Sequence, residues 1–115
     1  MNQKYERQLK KGVLDILVLE LLSEREMYGY QIIQTLQQKN RERFSLKEGT
    51  LYPILYRLED DGWIESRWSE PKVKMVSKKY YAITELGKMQ LQELKELWFA
   101  FSKEVSEILR GDGNE

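Results

Sequence analysis

Between Leu9 and Leu22 the chain is apolar on nearly every side of a helix, through Leu9, Val13, Leu14, Ile16, Leu17, Val18, Leu19, Leu21 and Leu22. Such a helix has to be covered on more than one face. With 115 residues the chain is one domain with a modest core, so it can hardly cover that helix alone. The helix is expected over Tyr5–Glu24. Gly12 lowers its propensity and allows a break there.

The other end of the chain supplies the cover. A helix is expected from Thr84, as N-cap, to Arg110. Leu91, Leu94, Trp98, Phe101, Val105 and Ile108 alternate at spacings of three and four, a heptad seam that Leu97 and Leu109 widen. From Glu85 to Arg110 the span is about 39 Å at 1.5 Å per residue, too long to lie wholly on so small a head. The economical reading is a dimerisation helix against which the first helix of each copy packs. Residues 111–115 read as a frayed tail.

Between these ends, Glu48–Ile64 (EGTLYPILYRLEDDGWI) is the part with a surface to offer. Leu51, Ile54, Leu55 and Leu58 form a core stripe. At about 100° per residue Gly49, Tyr52, Pro53 and Tyr56 fall on the opposite side, flanked by Thr50 and Arg57. Ser45 and Glu48 fit a capping box, Pro53 predicts a local distortion rather than a break, and Gly62 stops the helix. Arg57 and Asp61 are spaced to pair. A second helix is expected over Gly29–Lys39, with Ile32, Ile33 and Leu36 inward. Trp63–Ser69 and Lys78–Thr84 alternate as two strands joined by the glycine-free connection Glu70–Ser77. Ile64, Ser66 and Trp68 share one strand face, and of Tyr80 and Tyr81 one turns to the core.

The fold class expected is therefore mainly α with a small β hairpin: a winged helix-turn-helix over residues 1–84 and a long C-terminal dimerisation helix over 85–110. In that fold the third helix enters the major groove and the hairpin lies along the backbone or the minor groove.

Composition removes several alternatives. There is no cysteine and no histidine, which excludes Cys or His nucleophiles, the common zinc sites and disulfides. No catalytic carboxylate arrangement and no phosphate-cradling glycine loop stands out, so neither an enzyme nor a cofactor is expected. The segment up to Lys11 is charged, unlike a signal peptide, and the longest apolar run is bracketed by Asp15 and Glu20. No membrane span and a cytoplasmic location are expected.

Nineteen basic and nineteen acidic residues cancel, but their distribution is uneven. Residues 1–47 hold nine Lys/Arg against six Asp/Glu, and 63–84 hold five against two. Residues 48–62 run one against four and 85–115 four against seven. Arg67, Lys72, Lys74, Lys78 and Lys79 crowd the hairpin. A solvated face explains any single run; the segregation points weakly to a polyanion.

The chain resembles the PadR family of bacterial transcriptional regulators, in its short-tailed subfamily. The residues that carry the resemblance are YGYQII at Tyr28–Ile33, GTLYPILYRLEDDGWI at Gly49–Ile64, KKYYAIT followed by Gly87, and Trp98 in the last helix. It covers the chain from about Leu9 to Leu109. It implies a homodimeric winged-helix repressor that binds a pseudo-palindromic operator in double-stranded DNA and releases it on a small-molecule or stress signal. In the related multidrug-sensing members a tryptophan at the Trp98 position stacks flat aromatic compounds. The resemblance thus implies a small aromatic effector near Trp98, with Asp15, Leu17, Leu94 and Phe101 as neighbours if the first helix crosses the last near its middle. Two departures stand out. The wing connection lacks the glycine common there, and Lys78 and Lys79 stand where relatives often carry arginine, keeping the charge without the bidentate fork.

DNA contact is thus expected from Gly49, Thr50, Tyr52, Pro53, Tyr56, Arg57, Lys72, Lys74, Lys78 and Lys79, with Lys4, Arg7, Lys10 and Lys11 as weaker candidates. A tyrosine hydroxyl can donate to phosphate, and its ring can pack on a thymine methyl. The plain reading of Tyr52 and Tyr56 is an amphipathic surface, of the lysines a solvated loop, and of Trp98 a packed knob. A further alternative is a winged helix that docks another protein through the same aromatics.

Overall fold

The computed structural model of the protein describes residues 2–70 and 77–111. The elements run α1 (Gln3–Glu24), β1 (Met27–Tyr28), α2 (Gly29–Lys39), α3 (Glu48–Asp60), β2 (Ile64–Trp68), β3 (Lys79–Ile83) and α4 (Glu85–Leu109). This is a winged helix-turn-helix followed by one long helix. Its sheet has three antiparallel strands in the order β1-β3-β2.

The core is made where the apolar stripes meet. Leu14, Val18, Leu19, Leu21 and Leu22 of α1 close over Ile32, Ile33 and Leu36 of α2, Leu51, Ile54, Leu55 and Leu58 of α3, and Met27, Ile64 and Tyr81 of the sheet. Gly12 does not break α1, which is continuous and starts earlier than expected because the Asn2 side chain caps it, accepting from the Tyr5 amide at 3.2 Å. The expected Ser45–Glu48 capping box does not form. Ser45 Oγ donates instead to the Arg41 carbonyl at 2.6 Å, and Lys47 is the N-cap. Helix α3 runs on through Pro53.

The strand β1 has no counterpart in the sequence reading. It pairs Met27 with Tyr81 and Tyr28 with Tyr80, tying the start of α2 to the wing. Two residues are too few to show a period of two. Tyr81 is the inward tyrosine. Trp68, on the same strand face as Ile64, extends past the edge of the core and is exposed.

The end of α3 and the start of α4 meet at a tight crossing. Gly62 adopts φ +78°, and the Gly62 and Trp63 amides donate to the Glu59 and Leu58 carbonyls at 3.0 Å each, a Schellman closure. Thr84 Oγ1 accepts from the Gly87 amide at 3.0 Å as N-cap and donates to the Gly62 carbonyl at 2.7 Å. Gly87 lies against the Trp63 backbone so closely that a Cβ there would overlap the Trp63 carbonyl and stand 2.8 Å from Ile83 Cγ1.

From this crossing α4 leaves the head. Its 25 residues span about 37 Å, and the molecule measures 68 × 32 × 21 Å. The radius of gyration is 16.7 Å, against about 13 Å for a compact domain of this length. No helix among the described residues is long and apolar enough to cross a membrane.

Gly87→Ala should lower the unfolding free energy by about 2 kcal/mol or more in urea denaturation. Gly12→Ala, which meets nothing within 4 Å, should raise it by up to about 1 kcal/mol through helix propensity. Burial, reinforced by Tyr56 and Glu59, pushes the Tyr81 phenol from 10.0 up to about 12. The unfolded chain releases this proton near its ordinary pKa while the folded chain holds it. The stabilisation is therefore complete below pH 10 and drains away as the pH rises towards 12. Denaturation midpoints should fall across that interval, and fall less in Tyr81→Phe.

Candidate nucleic-acid interface

The stripe that seats α3 in the core turns Gly49, Thr50, Pro53, Tyr56 and Arg57 outward, with Tyr52 half-buried. A ridge results, flanked by two clefts. The wing-side cleft has a volume of about 390 Å³ and is walled by Tyr28, Tyr30, Tyr52, Tyr56, Trp68 and Lys78, among others. The α1-side cleft, about 500 Å³, lies between Lys11, Gly12 and Asp15 on one side and Thr50, Ile54 and Arg57 on the other.

The wing-side cleft is aromatic and cationic at once. Tyr52 and Tyr56 lie one helical turn apart, their rings 6.1 Å from centre to centre. Burial, and then the Glu48 carboxylate, raise the Tyr52 phenol above its ordinary pKa, both acting against the charged phenolate. Lys78 Nζ lies 4.3 Å above the centre of the Tyr28 ring. Lys79 Nζ stands 6.0 Å from the Trp68 ring and 5.6 Å from that of Tyr81. Rings orient these ammonium groups without cancelling their charge, so both remain available to an anion. Gly29 makes the arrangement possible: a Cβ there would stand 2.8 Å from Tyr52 Cζ, inside contact distance.

Three other cations counted in the sequence, Arg67, Arg57 and Lys10, are already paired with carboxylates. Arg67 donates to both Glu26 oxygens, at 3.2 and 2.6 Å, and covers the Tyr80 ring. The hydrogen bond to Glu26, then its charge, raise the guanidinium pKa further. Arg57 does not pair with Asp61. Its Nη2 donates to both oxygens of Asp15, at 2.6 and 2.7 Å. Lys10 is tied to Glu6 at 3.2 Å and to the Arg43 carbonyl, and Lys4 stands over the Tyr5 ring. Arg7 and Lys11 are exposed. Lys72 and Lys74 lie outside the described residues.

A third concave surface lies away from α3. Leu9, Gly12, Val13 and Ile16 of α1 face Leu94, Leu97, Trp98 and Phe101 of α4 around an open apolar groove of about 370 Å³. The α1 residues recur at i, i+3, i+4 and i+7, a phase that leaves out residues 15 and 17. The expected neighbourhood of Trp98 is corrected accordingly. Asp15 faces α3 from the opposite side of α1, and Leu17 packs against the core. Leu94, Trp98 and Phe101 do come together. Along the seam, Leu91 is buried, Phe101 is 58% exposed and Ile108 is 77% exposed. The apolar stripe thus runs off the end of its own head.

Sequence reasoning missed Tyr28, Tyr30 and Trp68 as walls of the wing-side cleft. The Tyr-Gly-Tyr run at the strand-to-helix turn was the available signal, since that glycine is where Tyr52 fits.

Comparison with known proteins adds what geometry leaves open. The model of the Transcriptional regulator PadR-like family matches residues 18–93. An uncharacterized protein of Lysinibacillus sphaericus is 38% identical over 99 residues, 86% of each chain. The structure of a transcriptional regulator from Clostridium thermocellum matches with a TM-score of 0.79 at 32% identity, covering 87% of this chain and 93% of that one. The negative transcriptional regulator PadR of Bacillus subtilis is 29% identical over 100 residues, which is 87% of this chain and 52% of that protein. Its structure in complex with operator DNA matches with a TM-score of 0.64 at 32% identity, over 71% of this chain and 46% of that one.

Proposed function

The chain belongs to the PadR-like family, whose members are DNA-binding transcriptional regulators and not enzymes, and from that premise we propose that it acts as a homodimeric, sequence-specific repressor. The reading is carried by one observation: the outer face of α3 is largely exposed, beside a cleft that presents Tyr52, Tyr56, Lys78 and Lys79 together. An exposed helix face suits the major groove of B-form DNA, and the wing-side lysines suit the flanking phosphates. The relative solved on operator DNA and named a negative regulator supports both parts of the reading.

The dimer is supported by the seam. Leu97, Phe101, Ile108 and Leu109 each expose more than half of their surface, a contiguous apolar stripe of the kind that marks an interface. In this division of labour residues 1–84 read DNA and 85–110 pair the copies; the tail expected over 111–115 falls, beyond Gly111, outside the described residues. Two α3 ridges related by a two-fold axis would meet half-sites about one helical turn apart, a pseudo-palindrome. The reading also supports a cytoplasmic location.

A labelled duplex from the region upstream of the protein's own gene tests the reading by fluorescence anisotropy. The native protein should bind as a dimer, with affinity falling steeply as salt rises. Tyr52→Ala/Tyr56→Ala should abolish binding while sedimentation still shows a dimer. Weak binding that is indifferent to sequence would favour the alternative, a winged helix that docks proteins, and a stable monomer at micromolar concentration would defeat the two-fold geometry.

The apolar groove supports one extension, a small aromatic effector that stacks on Trp98 and relieves repression. The Trp98 ring forms part of the groove wall and remains 38% exposed, and aromatic stacking alone selects flatness rather than one compound. Planar aromatic compounds should quench tryptophan emission in the native protein. Because Trp63 and Trp68 also emit, the signal is the part of that quenching lost in Trp98→Ala, and no loss would remove the effector from this groove.

A further inference from the structure

Arg57 is the one basic residue of α3, and its guanidinium is held by Asp15, 42 residues earlier in the chain. One nitrogen, Nη2, donates to both carboxylate oxygens, while Nε and Nη1 make no hydrogen bond among the described residues. The two partners are unequally placed. The Asp15 side chain is 22% exposed and that of Arg57 is 53% exposed, so the carboxylate is the seated member and the guanidinium the outer one. Around them the α1-side cleft opens to about 500 Å³, room for the arginine to swing towards a ligand on the ridge.

The pair is poorly explained as a structural tie. Helices α1 and α3 already share the core through Leu14, Val18, Leu51, Ile54 and Leu55, and a half-exposed ion pair adds little to such packing. Its chemistry is more telling. A carboxylate offers a guanidinium the same close pair of anionic oxygens that a DNA phosphate offers.

We propose that Asp15 is an intramolecular phosphate surrogate that holds Arg57 away from DNA and so limits the affinity of the recognition helix. The proposal rests on the reading of α3 as the DNA-facing helix. Moving Arg57 from Asp15 to a phosphate exchanges one ion pair for another and leaves a bare carboxylate beside the polyanion. In the native protein Arg57 therefore stays with Asp15 and contributes little to binding. Removing the carboxylate's charge converts Arg57 into a phosphate contact.

A double-mutant cycle on the full dimer separates this from its rivals, with anisotropy titrations of the same duplex over a series of salt concentrations. Asp15→Asn should tighten binding roughly tenfold near 0.1 M salt and steepen the log–log salt dependence by about 0.9 per subunit, or nearly two for the dimer. Arg57→Gln alone bares the Asp15 carboxylate and should weaken binding modestly, but it removes no phosphate contact, so the slope should stay close to native. The double variant, which removes both charges, should bind like the native protein, without the gain of Asp15→Asn. A gain that survives in the double variant would overturn the proposal, because Asp15 would then only repel phosphate. Weaker binding by Asp15→Asn with an unchanged melting temperature would overturn it too, making Asp15 a support that presents Arg57 to DNA. Should Asp15→Asn fail to fold, Arg57→Gln still decides: a salt slope shallower by nearly two units shows Arg57 already on DNA. A native protein that binds no duplex contradicts the functional reading itself, before any variant is compared.

Discussion

The backbone crossing of Gly87 over Trp63 governs how the rest of the molecule is disposed. There the last turn of α3, the first residue of the wing and the first turn of α4 are joined through a single threonine hydroxyl and a glycine with no room for a side chain. Because both helix ends are closed by hydrogen bonds at this point, no free linker separates the α3 ridge from the long helix. Direction is transmitted between them as through a joint with little play. A dimer built on α4, as proposed, would fix the separation of two α3 ridges, a quantity that flexible tethering would leave unspecified.

Features confined to a few neighbouring residues were legible in the sequence. The α3 stripe, the outward set opposite it, the Thr84 cap, the hairpin and the seam all follow from periods of two and 3.6 and from local capping chemistry. The failures are as instructive. Ser45 had two local partners in prospect, a helix-start amide from which to accept and a preceding carbonyl to which to donate, and the carbonyl took it. The strand β1 is too short to carry a pattern and exists because Tyr80 and Tyr81 offer it an edge. The lining of the α1–α4 groove depends on the rotation of α1 about its own axis, which a helix apolar all round does not reveal.

Electrostatics was the least legible layer. Counting charges along the chain credits the hairpin with Arg67 and α3 with Arg57, yet each is claimed by a carboxylate about forty residues away. What remains available on the described part of the interface is a pair of lysines steered by aromatic rings on the wing side and Lys11 on the α1 side. The net charge of zero is therefore compatible with DNA binding for a local reason: cations left over after internal pairing, rather than the total, set the field at the surface. It also fits the prominence of tyrosine on the outer face of α3, since neutral hydroxyls and rings offer contact surface without adding charge.

Gly29 and Tyr52 occupy one volume between them, with the phenol ring filling the space that any side chain at residue 29 would need. The two positions are therefore not free to vary independently over evolutionary time. A larger residue at 29 is incompatible with tyrosine at 52 in this pose, but becomes acceptable once the ring is gone. Descendants of this fold that alter the character of the wing-side cleft would have to change both positions together, or pass through the smaller residue at 52 first, so the order of substitutions is imposed by sterics before selection on binding can act.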